Sequence, residues 1–177
     1  MSSPETLLAQ KDIDRILTRM AHEIVEVHKG ARNLALIGIQ TRGVDLARRL
    51  KAKIREIEGV DIASGEIDIN LYRDDWTRIT HHPVVRTTQI DFSVDGRQII
   101  LVDDVLFTGR TIRAAMDALM DYGRPDRIEL AVLIDRGHRE LPIEGNYVGK
   151  FVETRHAQTV NVRLAETDGT DEVILEP

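Results

Sequence analysis

The stretch Ile99–Thr111, with the sequence IILVDDVLFTGRT, decides the fold of this 177-residue chain. It begins with apolar residues that are typical of a buried strand, and it continues with two adjacent acids, Asp103 and Asp104. A loop that contains Gly109 follows, and helical periodicity starts directly after it. Because glycine lets the backbone approach a ligand and a helix N-terminus attracts anions, this loop suits a phosphate. The acids can accept hydrogen bonds from sugar hydroxyls or hold a hydrated Mg²⁺.

Two common nucleotide-binding motifs do not match this stretch. A Walker A loop requires Gly-Lys-Ser or Gly-Lys-Thr, and the loop has no lysine. A dinucleotide fingerprint requires Gly-x-Gly-x-x-Gly, which is also absent. On the residues alone, the alternative is an ordinary turn between a strand and a helix with an acid-rich cap.

Apolar periodicity along the rest of the chain predicts alternating strands and helices. The predicted strands cover residues 34–39, 66–71, 98–102, 128–134, 147–152 and 160–164, and the predicted helices cover residues 12–29, 44–58 and 111–122. The strands at 98–102 and 128–134 are apolar on both faces. We therefore expect a single α/β domain over residues 1–177, with a central, mainly parallel sheet flanked by helices.

Ligands of such sheets bind beyond the carboxyl ends of the strands. Polar residues are concentrated after three predicted strands, at 40–43, 103–111 and 135–139, so these segments should face one crevice. Residues 73–90 have no usable period and are predicted to form a long loop. Long loops in compact domains are often functional.

The segment GIQTRG, residues 38–43, is a second loop between a predicted strand and a predicted helix. Thr41 and Arg42 supply a hydroxyl and a guanidinium, and the glycines permit unusual backbone angles. This combination suits pyrophosphate. A glycine-rich turn with a surface arginine is the alternative.

The composition excludes several classes of protein. The chain has no cysteine, which rules out disulfides and cysteine-ligated metals. No run approaches the roughly 18 apolar residues of a membrane span, and no signal peptide is visible, so we expect a cytoplasmic protein without a membrane partner. The net charge is −6, so binding of nucleic acid would need a local basic patch.

The string VDDVLFTGRT resembles the signature of type I phosphoribosyltransferases that binds 5-phosphoribosyl-1-pyrophosphate (PRPP). Together with RMAHE at 19–23, GIQTRG, LYRDD at 71–75 and DRGHRELPIEGNY at 135–147, it makes the chain similar to the bifunctional pyrimidine operon regulator and uracil phosphoribosyltransferase family. The likeness covers about residues 12–150. It weakens after Phe151, where FVETRHAQTV departs from the Pro-Thr-Ser stretch that is usual in the family.

The resemblance implies a type I phosphoribosyltransferase fold with a small hood and a flexible loop. It implies that uracil and PRPP react to UMP and pyrophosphate, with Mg²⁺ held through the substrate, waters and possible contacts to Asp103 and Asp104. Catalysis is assigned to Asp103, Asp104 and Arg42, and the pyrophosphate and flexible loops supply Gly43 and Arg73. The substrate-binding residues that it implies are Thr41, Arg42, Asp103, Asp104, Val105, Leu106, Phe107, Thr108, Gly109, Arg110, Thr111, Arg136 and Val160.

Many members of that family also bind the leader mRNA of the pyrimidine operon when UMP is bound. The resemblance thus implies transcription attenuation and a homodimer or higher homo-oligomer. Val27 and Glu144 stand where RNA-binding members often carry arginine. The RNA-binding residues that it implies are Thr18, Arg19, His22, Arg139 and Lys150.

Two other functions stay open at this point. One is an RNA-binding regulator whose pocket senses nucleotides but is weakly catalytic. The other is a phosphoribosyltransferase for a purine base or orotate, because the shape of a base pocket cannot be read from the sequence.

Overall fold

Strands and helices alternate along the chain in the computed structural model, which describes residues 3–70 and 88–177. The elements are β1 Glu5–Ala9, α1 Gln10–His28, β2 Leu34–Ile39, α2 Arg42–Glu58, β3 Ala63–Ile67, β4 Gln98–Leu106, α3 Arg110–Met120, β5 Arg127–Asp135, β6 Tyr147–Phe151, β7 Thr159–Arg163, α4 Ala165–Asp168 and β8 Glu172–Glu176. The predicted flexible loop, including Arg73, lies outside the described residues.

The central sheet has five strands in the order β3–β2–β4–β5–β6, and every neighbouring pair is parallel. Alternate residues of its inner strands enter two separate cores, because side chains in a strand point to opposite faces in turn. Leu36 and Ile100 pack with α1 and α2 on one face. Ile37 and Leu101 pack with α3 on the other face. The predicted α/β fold with a parallel sheet is confirmed.

A second, three-stranded antiparallel sheet has the order β1–β8–β7. It joins the two ends of the chain, and it supplies the small hood that the family resemblance implied. The sequence prediction missed β1 and the short α4. Neither element is long enough to give a clear period, and β1 is defined by its pairing with β8, which lies at the other end of the chain.

Two predicted strands differ from the structure by more than one residue at an end. β4 continues to Leu106 because its ladder with β5 pairs Asp103 with Val132 and Leu106 with Asp135. The acids therefore lie within the strand rather than after it. β3 covers residues 63–67 rather than 66–71, because it pairs with β2 from Ala35 to Ile39. Among the described residues, no helix is both long and apolar enough to cross a membrane.

A buried polar network lies at the amino-terminal ends of the strands of the central sheet, opposite to the predicted crevice. The hydroxyl of Tyr147 donates a hydrogen bond to Oε2 of Glu129 at 2.9 Å, and Nε2 of His28 lies 2.7 Å from the same oxygen. Arg127 pairs with Glu129 at 3.0 Å, and Gln98 contacts His28. Burial, together with the hydrogen bond to Glu129, raises the pKa of Tyr147. The network thus satisfies a carboxylate that is otherwise costly to bury.

We predict that Tyr147→Phe lowers the free energy of unfolding by about 2 kcal/mol at neutral pH, because it removes a hydrogen bond to a charged group. Urea denaturation measures this change. Since folding raises the pKa of Tyr147, its contribution is complete below about pH 10, where unfolded tyrosine ionises, and it declines at higher pH. Tyr122→Phe, at a residue that is 47% exposed, is the control. Equal losses in both variants would contradict a special role of the network.

Candidate active site

A polar cavity of about 350 Å³ opens at the carboxyl ends of β2, β3 and β4. Its position confirms that two of the three polar segments, 40–43 and 103–111, face one crevice. The lining residues are Ile39, Gln40, Thr41, Arg42, Asp68, Ile69, Asn70, Asp103, Asp104, Val105 and Thr111.

The two adjacent acids of β4 have different surroundings. Asp103 is buried, whereas Asp104 is partly exposed. Oδ1 of Asp103 accepts the backbone N–H of Asp104 at 2.9 Å, and Oδ1 of Asp104 accepts that of Val105 at 2.8 Å. Burial raises the pKa of Asp103 well above its usual value, and the neighbouring Asp104 adds to this shift. The pair therefore offers the cavity one buried carboxyl group, whose pKa is raised, and one that is partly exposed.

The predicted phosphate loop connects β4 to the N-terminus of α3. Gly109 has a φ of 91°, and a Cβ at this position would lie 3.3 Å from Cβ of Ile143. The carbonyl of Thr108 accepts the N–H of Glu140 at 2.9 Å, so the 135–147 segment supports the loop from outside. Val105 and Thr111 line the cavity. Leu106 does not, because its side chain lies in the core.

The predicted pyrophosphate loop packs directly against the acid strand. A Cβ on Gly43 would lie 2.3 Å from the carbonyl oxygen of Val102 and 3.2 Å from Cα of Asp103. Only glycine permits this approach. Thr41 and Arg42 consequently line the same cavity as the acids. The hydrogen bond to the carboxylate of Asp168 is the main reason why the pKa of Arg42 is raised.

Asp68, which follows β3, is a site residue that the sequence analysis did not single out. It is 8% exposed, and its Oδ1 accepts the N–H of Asn70 at 3.0 Å. Within residues 3–70 and 88–177, its Oδ2 is buried without a hydrogen-bond partner. Its place at the end of the alternating segment EIDINL was the available signal, but a single acid after a strand is common.

The acids of this cavity suit a hydrated Mg²⁺ that is bound with a phosphate ligand. Asp68, Asp103 and Asp104 all line it, and Asp68 has an oxygen to spare. In the described part of the chain, no three acidic or histidine side chains are close enough to hold a metal by themselves. Mg²⁺ commonly takes one or two carboxylates and completes its shell with phosphate oxygens and waters, so these residues fit it.

The third polar segment, 135–139, does not line this cavity but contacts the phosphate loop at Phe107. The guanidinium of Arg136 lies 4.0 Å from the centre of the Phe107 ring, and burial lowers the pKa of Arg136. Its Nη2 donates to the carbonyl of Arg155 at 3.2 Å. The rings of His138 and His156 lie 5.8 and 5.4 Å from Phe107. Val160 packs in the core beneath the small sheet.

Three of the five predicted RNA-binding residues, Arg19, His22 and Lys150, are exposed on two elements, α1 and β6, that contact each other. Arg19 is exposed, pairs with Glu23 at 2.6 Å and donates to the carbonyl of Gly149 at 2.5 Å. His22 and Lys150 are exposed. Oγ1 of Thr18, on the same helix, accepts a hydrogen bond from Lys53 at 2.9 Å.

Arg139 differs from the other predicted RNA contacts, because its guanidinium is directed inward. It pairs with Asp135 at 2.7 Å and donates to the carbonyls of Phe107 and Ile143, each at 2.8 Å. These bonds tie the 135–147 segment to the phosphate loop. Val27 and Glu144, the two positions where the family resemblance led us to expect arginine in RNA-binding members, are both exposed.

Comparison with known proteins identifies the class to which this fold belongs. The family model of the phosphoribosyl transferase domain matches residues 3–166. The hypoxanthine phosphoribosyltransferase of Trypanosoma cruzi has a TM-score of 0.74 and 19% identity, over 98% of this chain and 97% of its own. That of Staphylococcus aureus has a TM-score of 0.72 and 19% identity, over 96% and 90%. At this identity the solved structures establish the fold alone, which is that of a phosphoribosyltransferase.

Curated relatives define the family more closely. The bifunctional protein PyrR of Deinococcus deserti is 58% identical over 99% of this chain and 96% of its own length. The PyrR proteins of Deinococcus radiodurans and Pelotomaculum thermopropionicum are each 56% identical over 99% of this chain, and over 96% and 97% of their own. The chain therefore belongs to the bifunctional PyrR family of phosphoribosyltransferases, as the sequence predicted.

We predict that Asp103→Asn stabilises the fold at pH 7 while it damages the site. The folded-state pKa of Asp103 is raised, so its ionisation above the unfolded value of about 3.9 costs stability. The amide avoids this cost and can still accept the N–H of Asp104. Urea denaturation should give a gain above the roughly 0.5 kcal/mol scatter of surface substitutions, and the gain should vanish near pH 3. A loss of stability at pH 7, absent in the exposed control Asp126→Asn, would contradict this account.

Proposed function

We propose that this chain transfers the phosphoribosyl group of PRPP to uracil, and that with UMP bound it attenuates pyrimidine operon transcription by binding leader mRNA. One observation carries the enzymatic part. The pyrophosphate loop and the acid strand meet in a single cavity, because Gly43 lets their backbones touch. PRPP is a ribose with a pyrophosphate on C1 and a phosphate on C5. Its pyrophosphate would bind the loop at 40–43, its ribose hydroxyls the acids of β4, and its 5-phosphate the loop that follows β4.

The proposed ribose contacts are the carboxyl groups of Asp103 and Asp104. During the reaction the bond from C1 to the pyrophosphate oxygen breaks, and positive charge develops on the ribose ring. N1 of uracil then forms the new bond to C1 and releases its proton. The partly exposed Asp104 favours the developing cation, while the less readily ionised Asp103 can donate or accept a hydrogen bond at a hydroxyl. Positioning and electrostatics supply most of the rate enhancement.

The proposed pyrophosphate contacts are Thr41, Arg42 and the backbone around Gly43. Arg42 supplies positive charge where the leaving group gathers negative charge, which lowers the barrier. Bound Mg²⁺ would neutralise further charge on the pyrophosphate, and Asp68, Asp103 and Asp104 are the residues that would hold it or its waters. The spare oxygen of Asp68 supports this assignment.

The proposed 5-phosphate site is the loop from Val105 to Thr111. Its backbone N–H groups and the hydroxyls of Thr108 and Thr111 are the donors, and Gly109 begins the helix at the required positive φ. Phe107, Arg110 and the backbone of Leu106 complete the loop. Arg136 lies next to it, against the ring of Phe107, and we assign it to the base or the nucleotide. Val160 is buried in the core and does not line the cavity, so we leave it out of the proposed substrate contacts.

Formation of UMP from radiolabelled uracil, PRPP and Mg²⁺ tests the enzymatic part. We expect turnover by the native chain and a loss of at least about a hundredfold in kcat for Asp104→Asn, the scale seen when one transition-state contact is removed. Asp126→Asn, an exposed acid outside the cavity, should keep full activity. Turnover with hypoxanthine or orotate but not with uracil would assign the enzyme to another base. Binding of UMP without turnover would favour a nucleotide-sensing regulator.

The regulatory part of the proposal is supported by the exposed residues of α1 and β6. Arg19, His22 and Lys150 are exposed on neighbouring elements of a chain whose net charge is −6, and we propose that they form the local basic patch that RNA binding requires. We leave Arg139 out of this surface because its guanidinium is bonded internally. As part of the same proposal, the chain acts in the cytoplasm as a homo-oligomer.

We predict that Lys150→Gln weakens binding of pyrimidine leader RNA in the presence of UMP and lowers the slope of log affinity against log salt by about 1, because one phosphate contact is lost. Filter binding over a salt series measures both quantities. Lys51→Gln, on α2 beside the opposite edge of the sheet, is the control. An unchanged slope for Lys150→Gln would refute its contact with RNA. Binding that does not depend on UMP would refute the proposed role of the nucleotide.

A further inference from the structure

The guanidinium of Arg42 is held by a carboxylate from the far end of the chain. Its Nε donates to Oδ2 of Asp168 at 3.0 Å, and its Nη2 donates to Oδ1 at 2.7 Å. This is the bidentate geometry that gives arginine–carboxylate pairs both strength and direction. Asp168 lies in α4, outside every motif that the sequence analysis identified.

Asp168 is itself fixed by the backbone and by its neighbours. Its Oδ2 accepts the N–H of Leu164 at 2.8 Å, and its side chain is only 19% exposed. Thr167 donates to the buried Asp45 of α2 at 2.7 Å. Because Asp168 has little freedom of its own, it holds the plane of the Arg42 guanidinium at a defined angle.

A second ion pair docks the same short helix on α2. Arg49 binds Glu166 at 2.5 Å and Asp171 at 2.7 Å, about two helical turns beyond Arg42. Arg49 does not line the cavity, whereas Arg42 does. The chain therefore contains two comparable clamps between the C-terminal segment and α2, only one of which reaches the candidate active site.

The pair with Asp168 leaves Arg42 able to bind a further anion. A guanidinium has five N–H groups, and the two bonds to Asp168 use two of them, which leaves three on a plane that is already oriented. Freezing the side chain of an arginine costs up to about 2 kcal/mol of rotamer entropy. A ligand that meets an oriented guanidinium avoids much of this cost.

We infer that Asp168 is a positioning residue for the pyrophosphate end of PRPP, acting through Arg42. This inference rests on the proposed function, since it assigns the ligand of Arg42. It gives the C-terminal segment a role in substrate binding that its distance in sequence from both loops conceals. Asp168 does not line the cavity itself, so we expect its effect, passed on through Arg42, to be confined to groups that carry pyrophosphate.

The test compares Asp168→Asn with Glu166→Gln, which breaks the neighbouring clamp instead. Steady-state kinetics should give a rise of about tenfold in the KM for PRPP and in the inhibition constant of pyrophosphate for Asp168→Asn, the factor that corresponds to one to two kcal/mol of lost preorganisation. The KM for uracil should stay within about twofold. Glu166→Gln should lose a similar amount of thermal stability with no change in either pyrophosphate-dependent constant, and Asp168→Glu should recover part of the effect.

Calorimetric titration of Mg²⁺–PRPP keeps this test separate from catalysis. If the native chain binds Mg²⁺–PRPP but does not turn over uracil, the proposed acceptor fails and the role of Asp168 is still measured by its binding constant. Equal weakening by Glu166→Gln would overturn the inference, because α4 would then act only as a structural support. Tighter binding of pyrophosphate to Asp168→Asn would also overturn it, since the carboxylate would then compete with the ligand. If Asp168→Asn does not fold, Asp168→Glu carries the same comparison.

Discussion

The contact between Gly43 and the backbone of β4 is the constraint on which the site depends. A Cβ at this position would lie 2.3 Å from the carbonyl oxygen of Val102, so α2 can begin against the acid strand only without a side chain there. This approach brings Thr41 and Arg42 to the same cavity as Asp103 and Asp104. Parallel pairing of β2 with β4 sets Gly38 level with Val102, so β2 ends beside the two acids, and the contact at Gly43 fixes the separation of the loop from the acid strand. The guanidinium that we propose for the leaving group and the carboxylates that we propose for the sugar thus line one small cavity.

The same cavity concentrates groups that cost stability. Asp103 is buried beside another acid, which raises its pKa, and Asp68 keeps a buried oxygen without a described partner. Such groups persist when the rest of the fold over-determines their position, and they are typical of functional sites. The opposite edge of the sheet follows the other rule, because there Glu129 is surrounded by Tyr147, His28 and Arg127. The buried carboxylate at the amino-terminal ends of the strands therefore has its partners within the protein, whereas Asp68 in the candidate site keeps an oxygen available for a ligand.

Local sequence was sufficient to identify the strands of the central sheet and the loops that follow β2 and β4. β2 has the predicted bounds because a run of six apolar residues is flanked by polar residues on both sides. The stretch from Ile99 to Thr111 contains an apolar strand, a glycine loop and a helix start in succession, so it predicted all three. Features that depend on distant pairing were missed, namely β1, α4, and the roles of Asp68 and Asp168. The predicted surface role of Arg139 also depended on what the 135–147 segment packs against, which no local pattern contains. The contact of Arg136 with the base stays a proposal, because it too depends on how distant segments pack together.

A crystal structure of the chain with Mg²⁺ and a non-reactive PRPP analogue tests the central claim most directly. The account predicts the pyrophosphate group against Thr41, Arg42 and the backbone at Gly43, the ribose hydroxyls at Asp103 and Asp104, and the 5-phosphate in the loop from Val105 to Thr111. It also predicts that Arg42 keeps its bond to Asp168 while it contacts the ligand. A pyrophosphate bound away from the loop at Gly43, or a ribose without contact to either acid of β4, would contradict it.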